Sequence, residues 1–256
     1  MMENKFFGGN IVKKHTFQNN GKHLLASGPY EYFIYKSINK EELKIDNLGS
    51  FTVFILDKEE NCKILVNDLN KSINKSDAIQ VENSDTIFSI SGGCVTLLVA
   101  GTKNNSSNKQ GIFHLNSESI YKVEKPWGHE LWINGEHQCY ALKQIFIKAG
   151  TKTSLQYHNY KQETNVLFSG KAKLHYKKKS EISNNNIDID DIDSVTIHPI
   201  SSIDVIPSTL HRLEAVTDIL LYETSTPHLD DVVRVLDDAK RPSGRIKQEH
   251  VMNENK

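Results

Sequence analysis

The sequence predicts an all-β protein built from two similar halves, and three observations carry this. Apolar and polar residues alternate with period 2: Lys143, Ile145 and Ile147 against Leu142, Gln144 and Phe146, and Ala172, Leu174 and Tyr176 against Lys171, Lys173 and His175. Short β-rich runs are separated by Gly, Asn, Asp and Ser clusters, the pattern of a sandwich or barrel. A weak repeat places Lys75 to Val81 and Val95 to Val99 beside Ile200 to Ile206 and Ile219 to Tyr222, at an offset of about 124 residues in a chain of 256.

In chain order, strands are expected at Phe51 to Leu56, Cys62 to Val66, Ile79 to Val81 and Val95 to Val99. In the second half they are expected at Val166 to Phe168 and Ile219 to Tyr222. Helical pattern is scarce, and Asp230 to Lys240 is its best candidate. Lys103 to Gly111 is polar and without apolar periodicity, a linker or exposed loop between the halves. Ser180 to Ser194 carries Asp188, Asp190, Asp191 and Asp193; without the Gly of a calcium loop it reads as a solvated hairpin loop. The expected partition is 1–115, 116–241 and a flexible tail at 242–256.

Composition narrows the function classes. The chain has 31 Lys+Arg against 32 Asp+Glu, without the basic excess of a nucleic-acid binder. No apolar run approaches the ~20 residues that span a bilayer, and the start lacks an apolar signal region. Three dispersed cysteines form no CxxC pair and suit a reducing compartment, so a cytoplasmic location is expected. Sheet edges make a homodimer an expectation as well.

The chemistry concentrates in the second half, from Gly150 to Gly170. On a strand, Gln156 and His158 point to one face and Leu155 and Tyr157 to the other. Glu163 follows after room for a tight turn, and the distant His211 can complete a cluster. An amide oxygen, two imidazoles and a carboxylate make a mixed N/O set for Zn, Fe, Mn, Co or Ni. The alternative is four polar groups, each satisfied separately inside a barrel.

Gly150, Gln156, His158, Glu163, Gly170 and Pro207 to His211 resemble the two cupin motifs, with Gln in place of the first His. Lys125-Pro-Trp-Gly128, Ser154 to His158, Ile206 to Glu214 and Asp230 to Arg234 with Arg241 are similar to the cupin domain of type II mannose-6-phosphate isomerases, over about residues 121 to 241. The resemblance implies a bicupin whose C-terminal barrel binds one divalent metal, zinc before Co, Mn, Ni or Fe, through Gln156, His158, Glu163 and His211. The first barrel is implied to be degenerate, with no His around Phe51 to Glu60 or Glu82 to Ser89. It further implies an aldose–ketose isomerisation of a sugar phosphate or nucleotide-linked sugar for surface-polysaccharide assembly. The metal would stabilise an enediolate, with Lys161, Arg234 and Arg241 at catalytic or phosphate-holding positions. Arg234 and Arg241 can equally be ion-pair partners of Asp230, Asp231, Asp237 and Asp238.

Departures from the family pattern keep a non-catalytic carbohydrate-binding protein open beside the isomerase. Lys161 replaces an Arg and loses its five-donor fork. Thr164 replaces a His that can transfer protons, the turn before His211 is one residue short and lacks its Gly, and Ala215 replaces an Asn. A third possibility, an iron dioxygenase, is disfavoured by Gln156. His129 and His137 are candidates to face the pocket, whereas Trp127 and Trp132 read as core or rim packing.

Overall fold

The computed structural model describes residues 11–17, 20–38, 41–67, 69, 71–103, 109–135, 137–181 and 192–251. The acidic segment at 182–191 and the linker core at 104–108 lie outside the described residues. Strands dominate throughout, and the all-β expectation holds.

Two compact units result, and they do not divide at residue 115. The N-terminal unit comprises 16–121 and 133–142; the C-terminal unit comprises 1–15, 122–132 and 143–256. The N-terminal unit has a six-stranded sheet in the order Gly111–Leu115, Ala78–Glu82, Ser50–Lys58, Cys94–Thr102, Glu31–Ile38, Gly21–Ser27. Its second sheet runs Glu41–Lys44, Ile87–Ser91, Lys63–Val66. Residues 133–142 join this unit because Tyr140 shares a 2.8 Å hydrogen bond with Thr52 and His137 meets Glu82 at 2.8 Å.

In the C-terminal unit a seven-stranded sheet runs Val12–Lys14, Ser201–Val205, Glu163–Ser169, Ile219–Ser225, Ala141–Ile147, Gly128–Trp132, Tyr121–Lys125. A five-stranded sheet runs Asp193–Ile197, Ala172–Lys178, Thr209–Ala215, Leu155–Tyr157, Val233–Leu236. Val12–Lys14 belongs here because it pairs antiparallel with Ser201–Val205, with Lys13 bonded to Asp204 at 2.7 Å. The core draws Leu167, Ile203 and Ile219 from the first sheet and Leu174, Ile197 and Leu213 from the second. Each such side chain contributes about 1.5–3 kcal/mol on leaving water.

Two expectations are corrected. Asp230 to Lys240 is not a helix: Val233–Leu236 is a strand registered on Leu155–Tyr157, with Arg234 opposite Gln156. The β-branched Val232, Val233 and Val235 favour extended backbone, and strand pairing outweighs the apolar spacing. The tail expected to be flexible from 242 is packed as far as it is described. It contains the helix Lys247–Val251, buries Ile246, and holds Glu249 against Lys125 and Arg241 at 2.8 and 3.0 Å.

Candidate metal centre and pocket

The strand Leu155–Tyr157 turns His158 inward at its end. Leu155 and Tyr157 pack with Ile192 and Leu210, which leaves the opposite face to Gln156. Gln156 stands directly across from His211 on the neighbouring strand. After the turn, the strand Glu163–Ser169 brings Glu163 back beside them. The strand's far end is set by Gly170, at φ +85, where a Cβ would lie 2.1 Å from the Asp218 carbonyl oxygen. Ser208 supplies the turn before His211 at φ +63, in place of the glycine that the resemblance leads one to expect.

One donor atom each from His158, Glu163 and His211 fall within 4.8 Å of one another, and all three residues are buried. His158 Nδ1 bonds the Asp231 carbonyl oxygen, and His211 Nδ1 bonds that of Thr209 at 3.0 Å. A carbonyl only accepts, so both Nδ1 atoms carry a proton, and a neutral ring then presents a bare lone pair at Nε2. Neither Nε2 has a hydrogen-bond partner. They lie 3.4 and 3.3 Å from Glu163 Oε2 and Oε1, so with neutral rings lone pairs face lone pairs. Such a set is unfavourable without a cation among its atoms, and the imidazole–carbonyl bonds are those that orient metal-binding histidines. The residues therefore fit a divalent ion. Gln156 lines the same pocket, its Oε1 accepting from Ser154 at 2.6 Å.

Behind the triad sits a buried polar network. Lys161 Nζ donates to Glu163 Oε2 at 2.5 Å and to Glu223 Oε1 at 2.9 Å, and Asn165 Nδ2 donates to Glu163 Oε1 at 3.0 Å. Burial alone would lower the Lys161 pKa, but the Glu163 and Glu223 carboxylates overcome it and raise the value above that of an ordinary lysine. Burial works against the Glu163 carboxylate too, yet the Lys161 ammonium holds it well below the usual range.

The pocket is lined by six cationic side chains, Lys125, Lys143, Lys161, Arg234, Arg241 and Arg245, against the carboxylates Glu130, Glu163 and Glu223. Burial opposes Glu130 ionisation, but Lys143, Lys125 and the Trp132 indole N–H bring its pKa down to about 2. Arg234 and Arg241 both reach the pocket with much of their capacity engaged. Arg234 Nη1 donates to the carbonyls of Pro242 and Gly244 at 2.5 and 2.7 Å, and Arg241 pairs with Asp237 at 2.7 Å as well as with Glu249.

Other expected positions fall elsewhere. Thr164 points to the opposite face of its strand from Glu163, where its Oγ1 donates to Asp204 at 2.8 Å, so this exchange does not change the pocket lining. His129 stacks on Phe146 and His137 meets Glu82; neither lines the pocket. Trp127 and Trp132 are buried and line the pocket wall, with Lys143 Nζ 4.3 Å from the Trp132 ring centre. Glu130, Lys143, Asn165, Glu223, Arg245 and His250 were missed from the sequence. Asn165 alone was within reach, two residues beyond Glu163 on the same face.

Residues 113–237 match the sequence model of the family described as mannose-6-phosphate isomerase C-terminal. No curated protein sequence matches. Among solved structures, an IolB-like protein from Salmonella typhimurium LT2 superposes with TM-score 0.62 at 8% identity, covering 95% of this chain and 99% of that one. Protein YlbA from E. coli gives 0.60 at 7%, covering 84% and 88%. The oxalate decarboxylase of Lactobacillus farciminis gives 0.53 at 11%, covering 86% and 90%. At these identities the likeness is one of fold. The chain has the cupin fold, and its residues 113–237 are similar to the mannose-6-phosphate isomerase C-terminal domain.

Proposed function

We propose that the chain is a bicupin whose C-terminal unit binds one divalent ion through His158, Glu163, His211 and Gln156, zinc before Co, Mn, Ni or Fe. Its reaction on this reading is the aldose–ketose isomerisation of a sugar phosphate or nucleotide-linked sugar, for surface-polysaccharide assembly. The observation that supports this most is the pair of buried imidazole Nε2 atoms, without hydrogen-bond partners, facing Glu163.

When bound, the ion supplies a Lewis acid for charge developing on the sugar oxygens. The protein's own groups do the positioning. The two backbone carbonyls fix the imidazole tautomers, and Lys161 and Asn165 fix the Glu163 carboxylate. Trp127, Ile145, Ile147 and Leu213 keep one wall dry. The cationic excess attracts an anionic ligand. Lys161, held protonated, acts as a fixed charge, and Arg241 must exchange Asp237 or Glu249 for a phosphate to grip it.

A second reading, binding without turnover, is favoured by one observation. Each lining carboxylate already faces an ammonium group: Glu163 and Glu223 share Lys161, and Glu130 lies between Lys125 and Lys143. A carboxylate with a pKa of about 2 is a weak general base near neutrality. Elemental analysis after reconstitution, followed by a coupled assay of mannose-6-phosphate conversion to fructose-6-phosphate with Zn, Co and Mn, tests both. Metal with turnover supports the isomerase, and metal with sugar-phosphate binding alone supports the second reading. A protein that takes up no metal rejects both.

A further inference from the structure

Asp231 is the point where a distant strand segment grips the turn between the candidate ligands. Its carboxylate accepts the backbone N–H groups of Asn159, Tyr160 and Lys161 at 3.0, 2.6 and 2.9 Å, and the Asn159 side-chain amide at 3.2 Å. Its own carbonyl oxygen accepts His158 Nδ1–H. A single residue seventy positions beyond Lys161 therefore sets both the backbone of the turn and the tautomer of His158.

The turn Asn159 to Gln162 is the whole connection between His158 and Glu163. Its successive N–H groups point to one side and need an acceptor, because unpaired backbone donors are costly. The Asp231 oxygens meet three of them. Without that acceptor the turn loses the three bonds that fix the spacing of His158 and Glu163.

We infer that Asp231 is the positioning residue of the metal centre, holding His158 and Glu163 at coordinating separation and thereby setting the affinity for the ion. This rests on the metal-binding reading above. Asp231 touches neither the ion nor the substrate; it acts through His158 and the turn. Removing an outer partner of a ligating histidine weakens metal binding by roughly 10- to 100-fold.

The test is calorimetric titration of Co²⁺ into the metal-free full chain, with the visible spectrum of the cobalt protein as second readout. Asp231→Asn keeps the carbonyl to His158 but turns an amide donor toward the turn's N–H groups. It is expected to weaken Co²⁺ binding about 10- to 100-fold and to shift the d–d bands, which a merely structural loss leaves unmoved. Asp231→Ala removes both side-chain acceptors and is expected to weaken binding at least as much. The neighbouring Asp230→Asn is expected to bind Co²⁺ like the wild type, since its carboxylate serves Arg245. Unchanged affinity and spectrum in either folded Asp231 variant overturn this inference alone. A wild type that binds no Co²⁺ overturns the metal reading, and this inference with it.

Discussion

The two units share one strand plan and differ in what fills it. Ser50–Lys58 lies between Ala78–Glu82 and Cys94–Thr102, as Glu163–Ser169 lies between Ser201–Val205 and Ile219–Ser225. The registers agree as well: Phe51 faces Val81 and Gly101, and Glu163 faces Val205 and Ser225, each partner displaced by the same ~124 residues as the sequence repeat. By this alignment Phe51 stands for Glu163, Val53 for Asn165 and Val99 for Glu223. On the strand matching that of His211, the inward residue is Phe88. The N-terminal unit is thus packed dry with apolar side chains, and the C-terminal unit keeps the same positions polar. A barrel interior can hold a site only where its sequence leaves the centre unfilled, and a few inward positions decide which use it has.

Carrying the polar residue across should break the comparison most severely. Phe51→Glu places a carboxylate among Val53, Ile79, Val81, Phe88 and Val99 with no Lys161 to meet it. A loss of about 3–5 kcal/mol or more is expected in urea unfolding, or failure to fold.

The reverse change comes next. Lys161→Met leaves Glu163 and Glu223 buried without their ammonium group, at a cost of about 3–5 kcal/mol in the metal-free protein. Added Zn²⁺ should recover part of this, which unfolding curves with and without the ion will show.

Acid sharpens the contrast, because Trp127 and Trp132 both belong to the C-terminal unit and report it alone. Glu130 has a folded pKa of about 2, below its unfolded value of 4.5. Its contribution is therefore complete above pH 4.5 and lost as the pH falls toward 2, up to ~3 kcal/mol in all. Tryptophan fluorescence against pH should show the C-terminal unit weakening through that window.

Thr164→Val, the smallest effect, loses the bond to Asp204 at about 1 kcal/mol. It should leave Zn²⁺ affinity unchanged, since this position lies behind the sheet.

How much of this was legible in the sequence depends on the range of the signal. Alternation at 143–147 and 172–176 is local, and the strands Ala141–Ile147 and Ala172–Lys178 follow it. His158 and Glu163 were visible because one short turn separates them. Glu223 was hidden, since its place opposite Asn165 comes from a strand register that no local pattern encodes. Val233–Leu236 misled because apolar residues spaced for a helix also suit a strand when a partner is available. Arg245 and His250 sit in a polar stretch whose order comes from contacts with Arg241 and with Lys125 and Trp132, the last two distant in sequence.

That last stretch divides the pocket's labour along the chain. Every candidate ligand, together with Asp231, precedes residue 232, whereas Arg245, Ile246 and His250 follow Arg241. Cutting the chain after Arg241 would therefore open one wall of the pocket and release Lys125 and Arg241 from Glu249, with the imidazole pair and its carboxylate still encoded. Holding an ion and enclosing an anion become two properties that a single truncation can separate.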